Sequence, residues 1–143
     1  MSTFVIDASV AIKWVVEESG TKRALALRRQ ATLVAPELLV AECANILWKK
    51  VRRDELSRTE AHLAARLLQR ADIELRPTRS LLESAVRIAI DIDHPAYDCL
   101  YLALALDQQC RFVTADEHFT KALARNRFRK SVVSLADATA GPE

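Results

Sequence analysis

Thr3-Phe4-Val5-Ile6-Asp7-Ala8-Ser9 is a short run of β-branched and apolar residues that ends on a carboxylate and a hydroxyl. An apolar run this short reads as a buried strand, and a charged side chain is rarely buried without a partner. Asp7 therefore has two readings. It caps a following helix, a role that Ser9 could share. Or it stands at the carboxyl end of a central parallel strand, where open α/β sheets place their sites. The second reading needs companions, and Cys110-Arg111-Phe112-Val113-Thr114-Ala115-Asp116 repeats the design: apolar strand, hydroxyl residue, terminal Asp.

The chain between these stretches alternates helical and extended patterns. Val10 to Val16 is expected to form a helical turn or two, Glu17-Glu18-Ser19-Gly20 interrupts it, and Thr21 to Ala31 has the spacing of a partly exposed helix. Thr32 to Ala35 reads as a very short strand ended by Pro36, which has no amide donor. From Glu37 to about Arg53, Leu39, Cys43, Ile46, Leu47 and Val51 build a broad apolar helix face, with Glu42 at its edge near Leu38, Asn45 and Ile46. Ser57 followed by Glu60 matches a capping box for a helix from Arg58 to about Arg70. Ile73 to Arg76 alternates as a strand, and Ser80 to Ile90 returns to helical spacing. Asp91 to His94 breaks that run, and Pro95 suits the start of a helix, Ala96 to about Gln108, that is apolar nearly all round. A short helix from Glu117 to Arg125, a fifth strand from Ser131 to Leu135 and a frayed tail at Gly141-Pro142-Glu143 complete the chain. Such alternation favours helices on both faces of a mostly parallel sheet, without dictating the strand order.

Half of the 143 residues are hydrophobic and no repeat or Gly/Ser-rich linker divides them, so one domain, 1–143, is expected. The formal net charge of +2 neither demands nor excludes a nucleic-acid partner. Cys43, Cys99 and Cys110 lack paired metal-ligand spacing and read as reduced, packed thiols, which suits a cytoplasmic protein. No apolar run reaches transmembrane length, and the start lacks the basic region and cleavage pattern of a signal peptide, so no membrane association is expected.

A parallel sheet could gather Asp7, Glu42, Asp98 and Asp116 above its carboxyl edge. Four carboxylates at one place repel one another and raise at least one pKa. A hard divalent cation, Mg²⁺ or Mn²⁺, would relieve that repulsion, and an all-oxygen donor set suits these ions better than zinc. Ser9 and Thr114 could orient waters or substrate oxygens, while His94, beside Pro95, reads as a cap or loop residue in preference to a general base. Asp98 also sits where a helix dipole favours a carboxylate, a structural role that competes with ligation. Basic residues from Lys121 through Arg125, Arg127 and Arg129 to Lys130 are candidate contacts for a phosphate backbone, with Lys13 near the opening stretch. Trp14 and Trp48 lie in apolar segments and read as packed or interfacial.

The segments FVIDAS, LLVAECANIL, HPAYDCLYLALA and FVTADEHF, in this order from Phe4 to Phe119, resemble the PIN-domain ribonucleases, and more narrowly the VapC-type toxins of type II toxin-antitoxin pairs. The resemblance implies an α/β fold, a three-layer α/β/α sandwich with a five-stranded parallel sheet ordered 3-2-1-4-5. It implies metal-centred roles for Asp7, Glu42, Asp98 and Asp116, with Ser9 and Thr114 in support, and RNA hydrolysis leaving 5′-phosphate and 3′-hydroxyl ends. It also implies a VapB-type antitoxin partner and a homodimer. Two other readings stand beside it: an RNA- or antitoxin-binding module without hydrolysis, and an aspartate-based α/β phosphotransfer domain with Asp7 as acceptor.

Overall fold

The computed structural model describes residues 1–139. In chain order the elements are β1 (Ser2–Ile6), α1 (Ala8–Ala11), a 3₁₀ turn (Ile12–Trp14), α2 (Thr21–Gln30), β2 (Ala31–Pro36), α3 (Leu38–Arg52) and α4 (Arg58–Gln69). Then follow β3 (Glu74–Arg76), a 3₁₀ turn (Arg79–Leu81), α5 (Leu82–Ile92), α6 (Ala96–Asp107), β4 (Arg111–Thr114), α7 (Glu117–Ala122), a 3₁₀ turn (Arg129–Ser131), β5 (Val132–Ser134) and α8 (Leu135–Ala138). The five strands form one parallel sheet in the order β3-β2-β1-β4-β5, between helical layers, as the resemblance implies.

β1 lies at the sheet centre and pairs with β2 on one side, Val5 opposite Val34, and with β4 on the other, Val5 opposite Phe112. A strand covered on both faces reads as a continuous apolar run, and Val5 and Ile6 are fully buried. α6 packs against β1, β2, β4 and α5, which explains its lack of a polar face: Cys99 and Tyr101 through Ala105 are all buried. Strand order reverses direction at β1, so the crevice outside its carboxyl end is the place where such sheets bind ligands.

Several element ends differ from the sequence reading. The first helix starts at Ala8, because the Asp7 carboxylate accepts the Val10 amide at 3.3 Å, and it tightens to 3₁₀ geometry at Ile12. Pro36 is the last paired residue of β2, and the next amide, Glu37 N–H, continues toward Arg76 O at 2.9 Å. α5 runs through Ile92 and stops at Asp93, which adopts the left-handed conformation (φ 51°) that Asp tolerates better than most residues. α7 ends at Ala122, three residues early. β5 ends at Ser134, whose hydroxyl accepts the Asp137 amide and opens α8 where an extended Leu135 was expected. The tail Gly141-Pro142-Glu143 lies outside the described residues. Among the described residues, no helix is long and apolar enough to cross a membrane.

Candidate active site

Parallel pairing sends every strand's carboxyl end to one edge, and an open cleft of about 570 Å³ lies there. Asp7, Ser9, Glu42, Asp98 and Asp116 line it, together with Leu38, Asn45, Ile46, Lys49 and Tyr97. Each acid arrives by a separate route. Asp7 directly follows β1 and caps α1. Glu42 stands just past the first turn of α3, Asp98 is at the third position of α6, and Asp116 caps α7 two residues after β4.

Asp7 is 6% exposed, and hydroxyls hold both of its oxygens: Ser9 Oγ donates to Oδ1 at 2.5 Å and Thr114 Oγ1 to Oδ2 at 2.6 Å. Thr114 is itself buried and accepts the Asp116 amide at 3.0 Å, while Ser9 Oγ accepts the Ala115 amide at 3.0 Å. These bonds tie the ends of β1 and β4 together at the level set by the pairing of Ile6 with Val113. Burial pushes the Asp7 carboxyl up to about 6 despite the stabilising Ser9 and Thr114 bonds, and the nearby Asp98 charge adds to the rise. Glu42 is also shifted upward, chiefly by burial and further by Asp98, against a stabilising hydrogen bond donated by the Tyr101 hydroxyl.

Asp98 receives a hydrogen bond from His94: Nε2 lies 2.8 Å from Oδ2, and both side chains are partly shielded. The His94 ring packs on Phe119 at a centroid distance of 4.9 Å, so it is built into the wall of the cleft. Sequence reading placed His94 as a cap or loop residue and did not connect it to Asp98, although the spacing of four residues was visible. Lys49 was missed as well. It lies seven residues after Glu42, two helical turns along the same face, so helical periodicity could have found it.

The candidate RNA contacts lie off the lining of this cleft. Lys13 is 14% exposed and pairs with Glu18 at 3.0 Å. Arg127 pairs with Asp91 at 2.6 Å and lies over the Phe128 ring. Lys121, Arg125, Arg129 and Lys130 are exposed. Among the described residues, no three His, Cys, Asp or Glu side chains converge as a ready-made ion cage. The lining nevertheless fits a hard cation chemically: its acidic donors are all oxygens, and Asp7 and Glu42, raised first by burial and further by the Asp98 charge, have no salt-bridge partner among the described residues.

The PIN domain family model matches residues 4–124. Ribonuclease VapC9 of Mycobacterium tuberculosis and VapC ribonuclease Mb0985 of Mycobacterium bovis are each 30% identical over 112 residues, spanning 78% of this chain and 84% of theirs. The crystal structure of PAE2754 from Pyrobaculum aerophilum shares the fold with a TM-score of 0.67 at 21% identity, covering 96% of this chain and 94% of that one. With a match spanning most of the chain and an acid-lined cleft at the sheet's switch point, the chain belongs to the PIN domain family and is a homologue of its VapC-type ribonucleases.

Proposed function

We propose that this chain, as one nuclease domain over residues 1–143, hydrolyses RNA phosphodiester bonds with Mg²⁺ or Mn²⁺ and is the toxin of a VapBC pair. The observation that carries the proposal is the gathering of Asp7, Glu42, Asp98 and Asp116 on one cleft in a chain homologous to proteins named as ribonucleases. These four carboxylates would hold the cation, with Asp7 and Asp98 as the most direct ligands. A divalent ion so held makes water easier to deprotonate and stabilises charge on the scissile phosphate and leaving oxygen.

The chain's own groups prepare that chemistry. Ser9 and Thr114 fix both Asp7 oxygens, and Tyr101 fixes Glu42, so these acids need little reorientation when charge is neutralised beside them. Lys49 offers the cleft a cation for an RNA phosphate, and the exposed Tyr97 ring offers a surface on which a base can stack. The exposed cluster from Lys121 to Lys130 would meet the RNA backbone farther out. A cognate VapB-type antitoxin, a second copy of the chain and a cytoplasmic setting complete the proposal. The phosphotransfer alternative gives no role to Glu42 and Asp116 on the same cleft as Asp7, which weighs against it.

Sequencing the ends of RNAs treated with purified wild type and Asp98→Asn tests this reading. Metal-dependent products with 5′-phosphates from the wild type, reduced at least about 100-fold in the variant, are expected, since a ligand contributes several kcal/mol to such a transition state. RNA binding without products, across Mg²⁺ and Mn²⁺ and across structured and single-stranded RNAs, would favour a binding module instead.

A further inference from the structure

Asp98 occupies an unusual helix start. At the third position of a helix, an acid commonly reaches back to the amide of the N-cap residue. The N-cap of α6 is Pro95, which has no amide hydrogen to offer. The carboxylate is met from outside the helix, by His94 Nε2 at 2.8 Å on Oδ2. Because a carboxylate only accepts, Nε2 carries the proton and Nδ1 is left unprotonated in the neutral ring. Among the described residues, Oδ1 of Asp98 has no hydrogen-bond partner.

His94 is in turn anchored on two sides. Its amide donates to Ala89 O at 3.1 Å, closing α5 beyond the left-handed Asp93. Its ring packs against Phe119 of α7, which is fully buried and leans on Phe112 of β4 at 5.9 Å. Phe112 stacks on Tyr101 at 5.5 Å and 12°, and Tyr101 donates to Glu42. A continuous aromatic column thus runs beneath the cleft, with a donor to a different acid at each end. An imidazole packed this way has little rotational freedom, so it can hold Asp98 in one rotamer at low entropic cost.

Resting on the metal-dependent reading above, we infer that His94 is a positioning residue for Asp98: its Nε2–H fixes one carboxylate oxygen so that the other is presented to a divalent cation. Direct Mn²⁺ titration calorimetry, without RNA, tests it. His94→Phe keeps a ring against Phe119 and removes the donor; His94→Asn is polar but too short to span to Asp98; His94→Gln carries an amide N–H near the position of Nε2. About tenfold weaker Mn²⁺ binding is expected for His94→Phe and His94→Asn, with His94→Gln within about threefold of wild type, the range usual for groups behind a ligand. Melting in chelator checks that each variant is folded, and the Gln and Asn variants suffice should His94→Phe not fold. Wild-type affinity in His94→Asn, or a His94→Gln as weak as His94→Asn, would overturn the assignment. A wild type that takes up no Mn²⁺ would overturn the metal reading itself, and this inference with it.

Discussion

α4 and α6 begin with the same spacing and use it in opposite ways. At α4, the N-cap Ser57 and the third-position Glu60 exchange bonds: Glu60 Oε1 accepts the Ser57 amide at 2.9 Å, and Ser57 Oγ accepts the Glu60 amide at 3.0 Å. The acid is absorbed into the helix end, and bonding to the Ser57 amide and hydroxyl holds its carboxyl below the usual glutamate range. At α6, Pro95 replaces the serine, the reciprocal bond cannot form, and Asp98 is left to line a cleft in which neighbouring acids are shifted upward. An acid at a helix start is therefore structural or available for chemistry according to what the N-cap can donate.

The sharpest way to break this contrast is to remove charge from the cleft, and the largest effect is expected at Asp7. Its carboxyl moves from an ordinary 3.8 up to about 6 on folding, so the folded state binds the proton more tightly than the unfolded chain. That stabilisation is fully present below about pH 4 and is lost as pH rises through 6, roughly 3 kcal/mol in all. In chelator, denaturant melts should show a stability gap in favour of Asp7→Asn that widens between those pH values. Parallel pH profiles for the two proteins would contradict the uncompensated charge assigned to Asp7.

The structural side of the contrast is probed by Ser57→Ala, which deletes one half of the capping box. A loss of about 1 kcal/mol is expected in the same melts, with RNA cleavage unchanged. A change in cleavage rate at constant fold would mean that α4 is coupled to the cleft. The smallest expected effect comes from converting one helix start toward the other. Pro95→Ser fits the observed backbone (φ −53°, ψ 141°) and gives α6 an amide and a hydroxyl with which to recapture Asp98. Mn²⁺ affinity should fall about threefold, a fraction of one hydrogen bond's worth. Unchanged affinity would show that His94 alone determines the Asp98 rotamer.

The features legible in the sequence were those written locally. Ser57 and Glu60 lie three residues apart, so their box could be read directly. Glu42 could be projected to the edge of its helix face, and it does line the cleft. The repeated strand-to-Asp design brought out Asp7 and Asp116, which the structure places at neighbouring strand ends. Strand order was different in kind. Parallel partners such as Val5 with Val34 and Phe112 lie far apart in the chain, and only the family resemblance supplied the arrangement. Side-chain partnerships across that distance were equally hidden: Tyr101 could be seen as able to bond, but not that Glu42 would be its acceptor. Lys13 looked free for RNA, yet it faces Glu18 once the turn after the 3₁₀ segment folds back. His94 was close to Asp98 in sequence, but its role depends on the Phe119 wall that positions its ring.

The Thr114 hydroxyl bonds both to the Asp116 amide and to Asp7, and the second of these bonds spans 107 positions. Timing follows from that span. While the chain is being synthesised, Asp7 emerges well ahead of β4 and waits for the whole intervening stretch before β4 can dock beside it. A nascent or truncated chain ending before Arg111 carries three of the four acids and lacks both Thr114 and Asp116. Completion of the cleft therefore waits on β4, and a chain that stops before it is expected to be inert for want of the β1–β4 pairing.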